Sequence, residues 1–108
     1  MDVFKVLASL DKDLHDPKRL AIMSILEKGN HSDYLFLTSE LEMTKGNLAA
    51  HLTTLEKMGY VKRVMDWIEK DNIRQKHTMI YITEVGKEAI KNHWKKIDTA
   101  METLRGIV

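Results

Sequence analysis

The chain has no cysteine, which excludes disulfides, thiolate metal sites and cysteine nucleophiles together. It contains a single proline, Pro17, and no linker, internal repeat or low-complexity stretch. No run approaches the roughly 20 apolar residues of a membrane span. The opening MDVFKVLASLDKD carries acids where a secretory signal needs basic residues, so a cytoplasmic location is expected. Catalytic signatures are missing too: there is no nucleophile elbow, no glycine-rich phosphate loop and no H-E-x-x-H. The five histidines show no H-x-x-H or H-x₃-H spacing, so neither metal nor cofactor is expected. Asp11, Asp13 and Asp16 read as helix-boundary residues and not as a catalytic pair. At 108 residues, 44% apolar and 31% charged, one soluble globular domain over 1–108 is expected, and not an enzyme.

An excess of charge is also lacking, since the net value is only +1. Its distribution is uneven, however. Residues 44–77 hold seven Lys/Arg against four acids, whereas residues 1–43 hold five against eight. Positive charge is concentrated in the middle third, as a phosphate footprint requires.

That third begins with TKGNLAAHLTTLEKMGYV, residues 44–61. Thr44 is an N-cap residue. Leu48, Leu52 and Leu55 recur at helical spacing, and Gly59 followed by Tyr60 is a C-terminal stop, so a helix over about 44–58 is predicted. Its other face carries Gly46, Asn47, Ala50, Thr53, Thr54 and Lys57, which are small, polar and poor in negative charge. A helix that enters the DNA major groove needs that surface.

Around this helix the pattern predicts a first helix from Asp2 over roughly 3–14 and a second from Asp16-Pro17. LAIMSIL in the second is apolar almost all round and marks the buried centre. A short extended piece at Tyr34-Leu35-Phe36 and a short helix over Leu37 to Leu41 come next. Tyr60–Ile68 and Ile73–Ile82 read as a β-hairpin turning at Glu69-Lys70-Asp71-Asn72. From Thr83 a helix runs to about Arg105, with Ile90, Trp94, Ile97, Met101, Leu104 and Val108 spaced as a helix–helix seam. At about 33 Å it is longer than so small a domain needs.

The order of elements is that of a mainly α (α+β) winged helix-turn-helix domain. PKRLAIMSIL, MTKGNLAAHLTTLEKMGYV and TMIYITEVGKEAI resemble the small winged-helix transcriptional regulators of the ArsR/MarR type, over roughly residues 15–90. The chain lacks the cysteines of metal-sensing members and is shorter than drug-responsive ones. The resemblance implies a homodimeric cytoplasmic regulator of double-stranded DNA, with the wing, about 60–82, on the DNA backbone. It implies that Thr44, Lys45, Asn47, Ala50, His51 and Thr54 lie on the recognition helix, and Lys70 and Arg74 on the wing.

Asn47 has the donor and acceptor to read adenine, whereas Lys45 suits a phosphate. His51, on the flank of the leucine stripe, is read either as a phosphate donor or as a half-buried structural histidine. Lys62, Arg63 and Lys76 join Lys70 and Arg74 as hairpin cations, of which only those on one face reach DNA together. His15, His31, His77 and His93 are expected to be structural or superficial. The C-terminal seam, helped by Phe4 and Leu7, would join two chains through Ile90, Trp94, Ile97, Met101 and Leu104. A two-fold dimer reads a palindromic operator. Two other readings stay open: a winged-helix protein-interaction module without DNA, and a regulator whose affinity is set by an effector at the dimer interface.

Overall fold

The computed structural model describes residues 2–107. Elements follow in the order α1 (Val3–Ala8), α2 (Pro17–Gly29), β1 (His31–Asp33), α3 (Tyr34–Glu40), α4 (Lys45–Lys57), β2 (Val61–Lys70), β3 (Ile73–Ile82) and α5 (Glu84–Ile107). The fold is the expected winged helix, with three antiparallel strands in the order β1-β3-β2. Ile22, Met23 and Leu26 of α2, Leu37 of α3, and Leu48, Leu52 and Leu55 of α4 are fully buried in one core with Ile80 and Ile90. The run in α2 is therefore central, as its all-round apolar character implied.

Two expectations are corrected. The first helix ends at Ala8 and does not reach 14. The Ser9 hydroxyl bonds the Val6 carbonyl, and the Asp11 carboxylate takes the amides of Asp13 and Leu14, so side chains there compete with the helix for backbone groups. Leu10 and Leu14 are buried from a turn instead. The second correction is at Tyr34–Phe36, which is helical. The strand lies just before it, pairing His31, Ser32 and Asp33 with Tyr81, Ile80 and Met79. Asp33 then caps α3 by accepting the amides of Leu35 and Phe36.

The hairpin turns in two residues, with both strands extended to its tip. Asp71 and Asn72 have φ of 53° and 64°, the two positive values of a type I′ turn. At the other end of the hairpin, α4 closes in a Schellman motif. Gly59 has φ 77°, its amide bonds the Glu56 carbonyl at 2.9 Å, and the Tyr60 amide bonds the Leu55 carbonyl at 3.0 Å. The Tyr60 carbonyl then accepts the Thr83 amide at 3.0 Å, and Thr83 caps α5 by taking the Gly86 amide at 3.0 Å. Gly86 lies directly over that peptide.

The molecule is long: 60 × 24 × 24 Å, with a radius of gyration of 16.6 Å, where a compact chain of this length has about 13 Å. The hairpin and α5 extend beyond the core. Along α5, Gly86, Ile90, His93 and Ala100 are buried, so Ile90 belongs to the core of its own chain and is not free for a partner. Trp94, Met101 and Leu104 are exposed, Ile97 is half-buried, and Val108 lies outside the described residues. Helix α1 packs on α5 through Val6, leaving Phe4 (76% exposed) and Leu7 facing out.

A Cβ at Gly86 would stand 2.3 Å from the Tyr60 carbonyl oxygen and 3.0 Å from Ile82 Cγ1. Gly86→Ala is therefore expected to cost at least about 1–3 kcal/mol, because a peptide cannot move aside as a side chain can. Urea unfolding read by circular dichroism checks this, and an unchanged midpoint would contradict the contact.

Candidate nucleic-acid interface

The outer face of α4 has the chemistry its sequence suggested. Thr44 caps the helix, its Oγ1 accepting the Asn47 amide at 3.0 Å. Lys45, Gly46, Asn47, Ala50, Thr53 and Lys57 are exposed, while Thr54 and His51 are half-buried. The helix has one acid, Glu56, and its carboxylate is held by the Arg63 guanidinium of β2, which also reaches Thr53 Oγ1 at 3.2 Å. The outer surface of α4 therefore presents no unpaired negative charge. The same bond removes Arg63 from the hairpin cations counted as free.

His51 is anchored at its flank. Arg19 Nη1 lies 3.1 Å from His51 Nδ1, and since a guanidinium only donates, Nδ1 is the acceptor and the ring is neutral with its proton on Nε2. Burial holds the His51 pKa below 6.5, Arg19 and Lys18 push it the same way, and Asp16 opposes them. The charged imidazole entertained from sequence is therefore disfavoured. Arg19 is itself within 4.0 Å of Asp16, whose pKa is lowered chiefly by the Arg19 amide against the effect of burial.

Register sorts the wing cations into two faces. Arg74 and Lys76 stand opposite Glu69 and Trp67, on the face that continues through Arg63 towards the core. Lys62 and Lys70 are on the other face, Lys70 opposite Ile73 beside the turn. The Arg74 guanidinium sits 4.6 Å from the Trp67 ring centre and the Lys76 ammonium 5.9 Å, so the indole supports both cations. Lys70 and Arg74, paired in expectation, are thus separated by the sheet. Lys76 and the supporting Trp67 take Lys70's place beside Arg74. The strand alternation contained that split, but only the paired register of 69↔74 made it legible.

A cleft of about 360 Å³ lies between the wing and the start of α4, lined by Asp33, Tyr34, Leu35, Lys45, Lys76, His77 and Thr78. Neither Lys45 nor Lys76 has an ion pair among the described residues. The Tyr34 hydroxyl donates to the Lys45 carbonyl and ties the two helix starts together. His77, expected to be structural, pairs through Nδ1 with Asp33.

Two other histidines meet at the base of the α5 arm. His15 Nδ1 and His93 Nε2 are 3.0 Å apart, and the His93 ring is buried with no partner for its Nδ1 among the described residues. Beside it lies a cavity of about 200 Å³ lined by Asp11, Tyr60, Ala89, Asn92, His93 and Lys96. The Tyr60 hydroxyl donates to Asp11 at 2.7 Å, and its pKa is pushed up to about 12 by burial and then by that carboxylate. Sequence spacing alone gave no sign of the His15–His93 pair, whose members are 78 positions apart.

Comparison with known proteins agrees with this geometry. Residues 18–101 match the family model described as winged helix DNA-binding domain. The Methanocaldococcus jannaschii protein MJ0432 is 33% identical over 75 residues, which is 69% of this chain and 77% of that one. The transcriptional regulator homologue protein from Pyrococcus horikoshii OT3 superposes with a TM-score of 0.80 at 28% identity, covering 96% of this chain and 98% of its own. Reduced AbfR bound to DNA shares the fold, with a TM-score of 0.61 at 19% identity over 82% of this chain and 61% of that one.

Both His51 and His93 have pKa values below 6.5, the latter through burial and then the nearby His15. Folding thus favours their neutral forms: their contribution is fully present above pH 6.5 and is lost as pH falls through the lowered folded values. The urea midpoint should decline on acidification below that value, and less steeply in His93→Gln. Identical slopes in the two proteins would remove His93 as a cause.

Proposed function

Because the chain belongs to the winged helix DNA-binding domain family, we propose that it is a sequence-specific transcriptional regulator that binds duplex DNA as a homodimer. The observation that carries this reading is the outer face of α4: short polar side chains, Glu56 neutralised by Arg63, and unpaired Lys45 at its start. Such a surface suits the major groove, where Asn47 reads an adenine edge and Ala50 and Thr54 lie close to the bases. Thr44 and Lys45 meet the backbone, joined by Arg74 and Lys76 from one face of the wing. His51 contributes its Nε2 proton without charge. The reading is supported by the Pyrococcus horikoshii transcriptional regulator homologue, similar over nearly all of its length, and by the shared fold of DNA-bound AbfR. A regulator of this kind works in the cytoplasm, where it meets DNA, and no helix among the described residues is long and apolar enough to cross a membrane.

The dimer is supported by an unpartnered apolar strip: Trp94, Met101, Leu104 and Ile107 along α5, with Phe4 and Leu7 of α1 beside them. Ile97 lies on the same strip. A two-fold axis there would bury the strip on both chains and set two recognition helices about one DNA turn, roughly 34 Å, apart on a palindromic site. A second reading, in which an effector tunes DNA affinity, is favoured by the cavity at the base of α5. A small-molecule screen scored by the change in duplex affinity tests it.

Selection of bound fragments from random duplexes should return one palindromic motif. Asn47→Ala should cost about 1–3 kcal/mol on that motif and relax one base position, whereas Arg74→Ala or Lys76→Ala should weaken all sequences alike and lower the salt slope by roughly 1. An unaltered motif in Asn47→Ala would show that the helix is docked in another register.

Trp94→Glu should give a folded monomer that keeps the N-terminal core and loses specific binding. Sedimentation at micromolar concentration checks it, and a wild-type monomer there would sink the dimer and the palindrome together.

A further inference from the structure

We propose that His77 is a positioning residue of the DNA interface: its bond to Asp33 ties the wing to the helical lobe and fixes the separation of Lys45 and Lys76 across a cleft that receives a backbone phosphate. This inference rests on the DNA-binding reading above and adds to it a mechanical part.

The need for such a lock follows from the sheet. It is three-stranded only as far as the Asp33–Met79 pair, because the chain turns into α3 at Tyr34. From Met65↔Thr78 outward the wing is a two-stranded ribbon, and an isolated ribbon has little stiffness of its own. His77 is two residues beyond the last three-stranded pair. Its Nδ1 meets Asp33, and its Nε2 lies 3.1 Å from Gln75 Oε1. The other carboxylate oxygen of Asp33 takes the Leu35 amide at 2.7 Å, so one side chain both caps α3 and holds the wing. Tyr34, the first residue of α3, bonds the Lys45 carbonyl. A continuous set of bonds thus runs from β3 through Asp33 and α3 to the start of α4, and Lys76 and Lys45 stand at its two ends, on opposite walls of the 360 Å³ cleft.

Both ring nitrogens are engaged, Nδ1 with the Asp33 carboxylate and Nε2 with the Gln75 side-chain amide. Asp66, the cross-strand partner of His77, adds a second carboxylate on the same face and also accepts the Tyr81 hydroxyl. Burial would raise the Asp33 pKa, yet it is lowered, because the His77 bond and the Leu35 and Phe36 amides outweigh desolvation. Loss of the His77 side chain removes both bonds. The ribbon is then less restrained, and binding must order it. His77 lies on the wing face opposite Arg74 and Lys76 and also lines the cleft, where its bond to Asp33 acts as the brace.

Duplex affinity of the full chain, read by fluorescence anisotropy, tests the proposal through a double-mutant cycle with Lys76. His77→Ala is expected to weaken binding roughly threefold to tenfold, the scale of a half-buried polar pair. Asp33→Ser, which keeps an N-cap residue for α3 but is too short to reach His77, should weaken it to a similar degree. In a Lys76→Ala background His77→Ala should cost much less, because the cation it positions is gone. A fully additive loss in that background, or undiminished affinity in His77→Ala, overturns the brace while leaving DNA binding intact. No duplex binding by the wild type overturns the DNA-binding reading, and the brace with it.

Discussion

One peptide joins every part that acts. The Gly59–Tyr60 segment closes α4 through its Schellman bonds, leads into β2, and offers the Tyr60 carbonyl to Thr83, so that α5 begins against the end of α4. Gly86 packs so closely on the same carbonyl that no side chain fits there. The Tyr60 hydroxyl reaches Asp11 and draws in the segment between α1 and α2. Helix, wing and arm therefore leave from a single point, and their mutual angles are set within one turn of chain.

Electrostatics at the interface is arranged by subtraction more than by accumulation. With a net charge of only +1, the chain cannot rely on overall attraction to phosphate. Glu56 is covered by Arg63, and Asp33 by His77. Asp16 is occupied with the amides of its own helix and with Arg19. What faces outward from α4 and the inner face of the wing is then Lys45, Lys57, Arg74 and Lys76, with Glu69 opposite Arg74. Two of these stand against one indole, which restricts their motion before any ligand arrives.

The elongated shape has the same logic. Helix α5 serves the core as far as Ile90 and His93 and then continues beside α1 with an apolar side uncovered. That uncovered side is the strip on which the proposed dimer rests. The His15–His93 contact and the polar cavity beside it lie where the arm leaves the core, the position from which a small change propagates furthest along a lever.

Local patterns were enough to determine the elements. Leucine spacing, the Thr44 and Thr83 caps, Gly59 and the β-branched runs after it each act within a few residues, so α4, the wing and the long final helix could be read directly. The exceptions were also local, where a rule had a competitor: Ser9 and Asp11 took backbone groups from the first helix, and Asp33 began α3 before the apolar residues at Tyr34–Phe36 could extend. Across greater distances the sequence was silent. Ile90 belongs to the seam by its spacing and to the core by the position of α5, and Lys70 was separated from Arg74 by a register that only strand pairing defines. The pairs Arg63–Glu56, Arg19–His51, His77–Asp33 and His15–His93 have no periodicity to betray them. Sequence by itself determined what each segment is, because those choices are made by neighbouring residues. Which charges are left free and which histidines are paired was decided by tertiary structure, because pairing depends on distances between segments that no local pattern encodes.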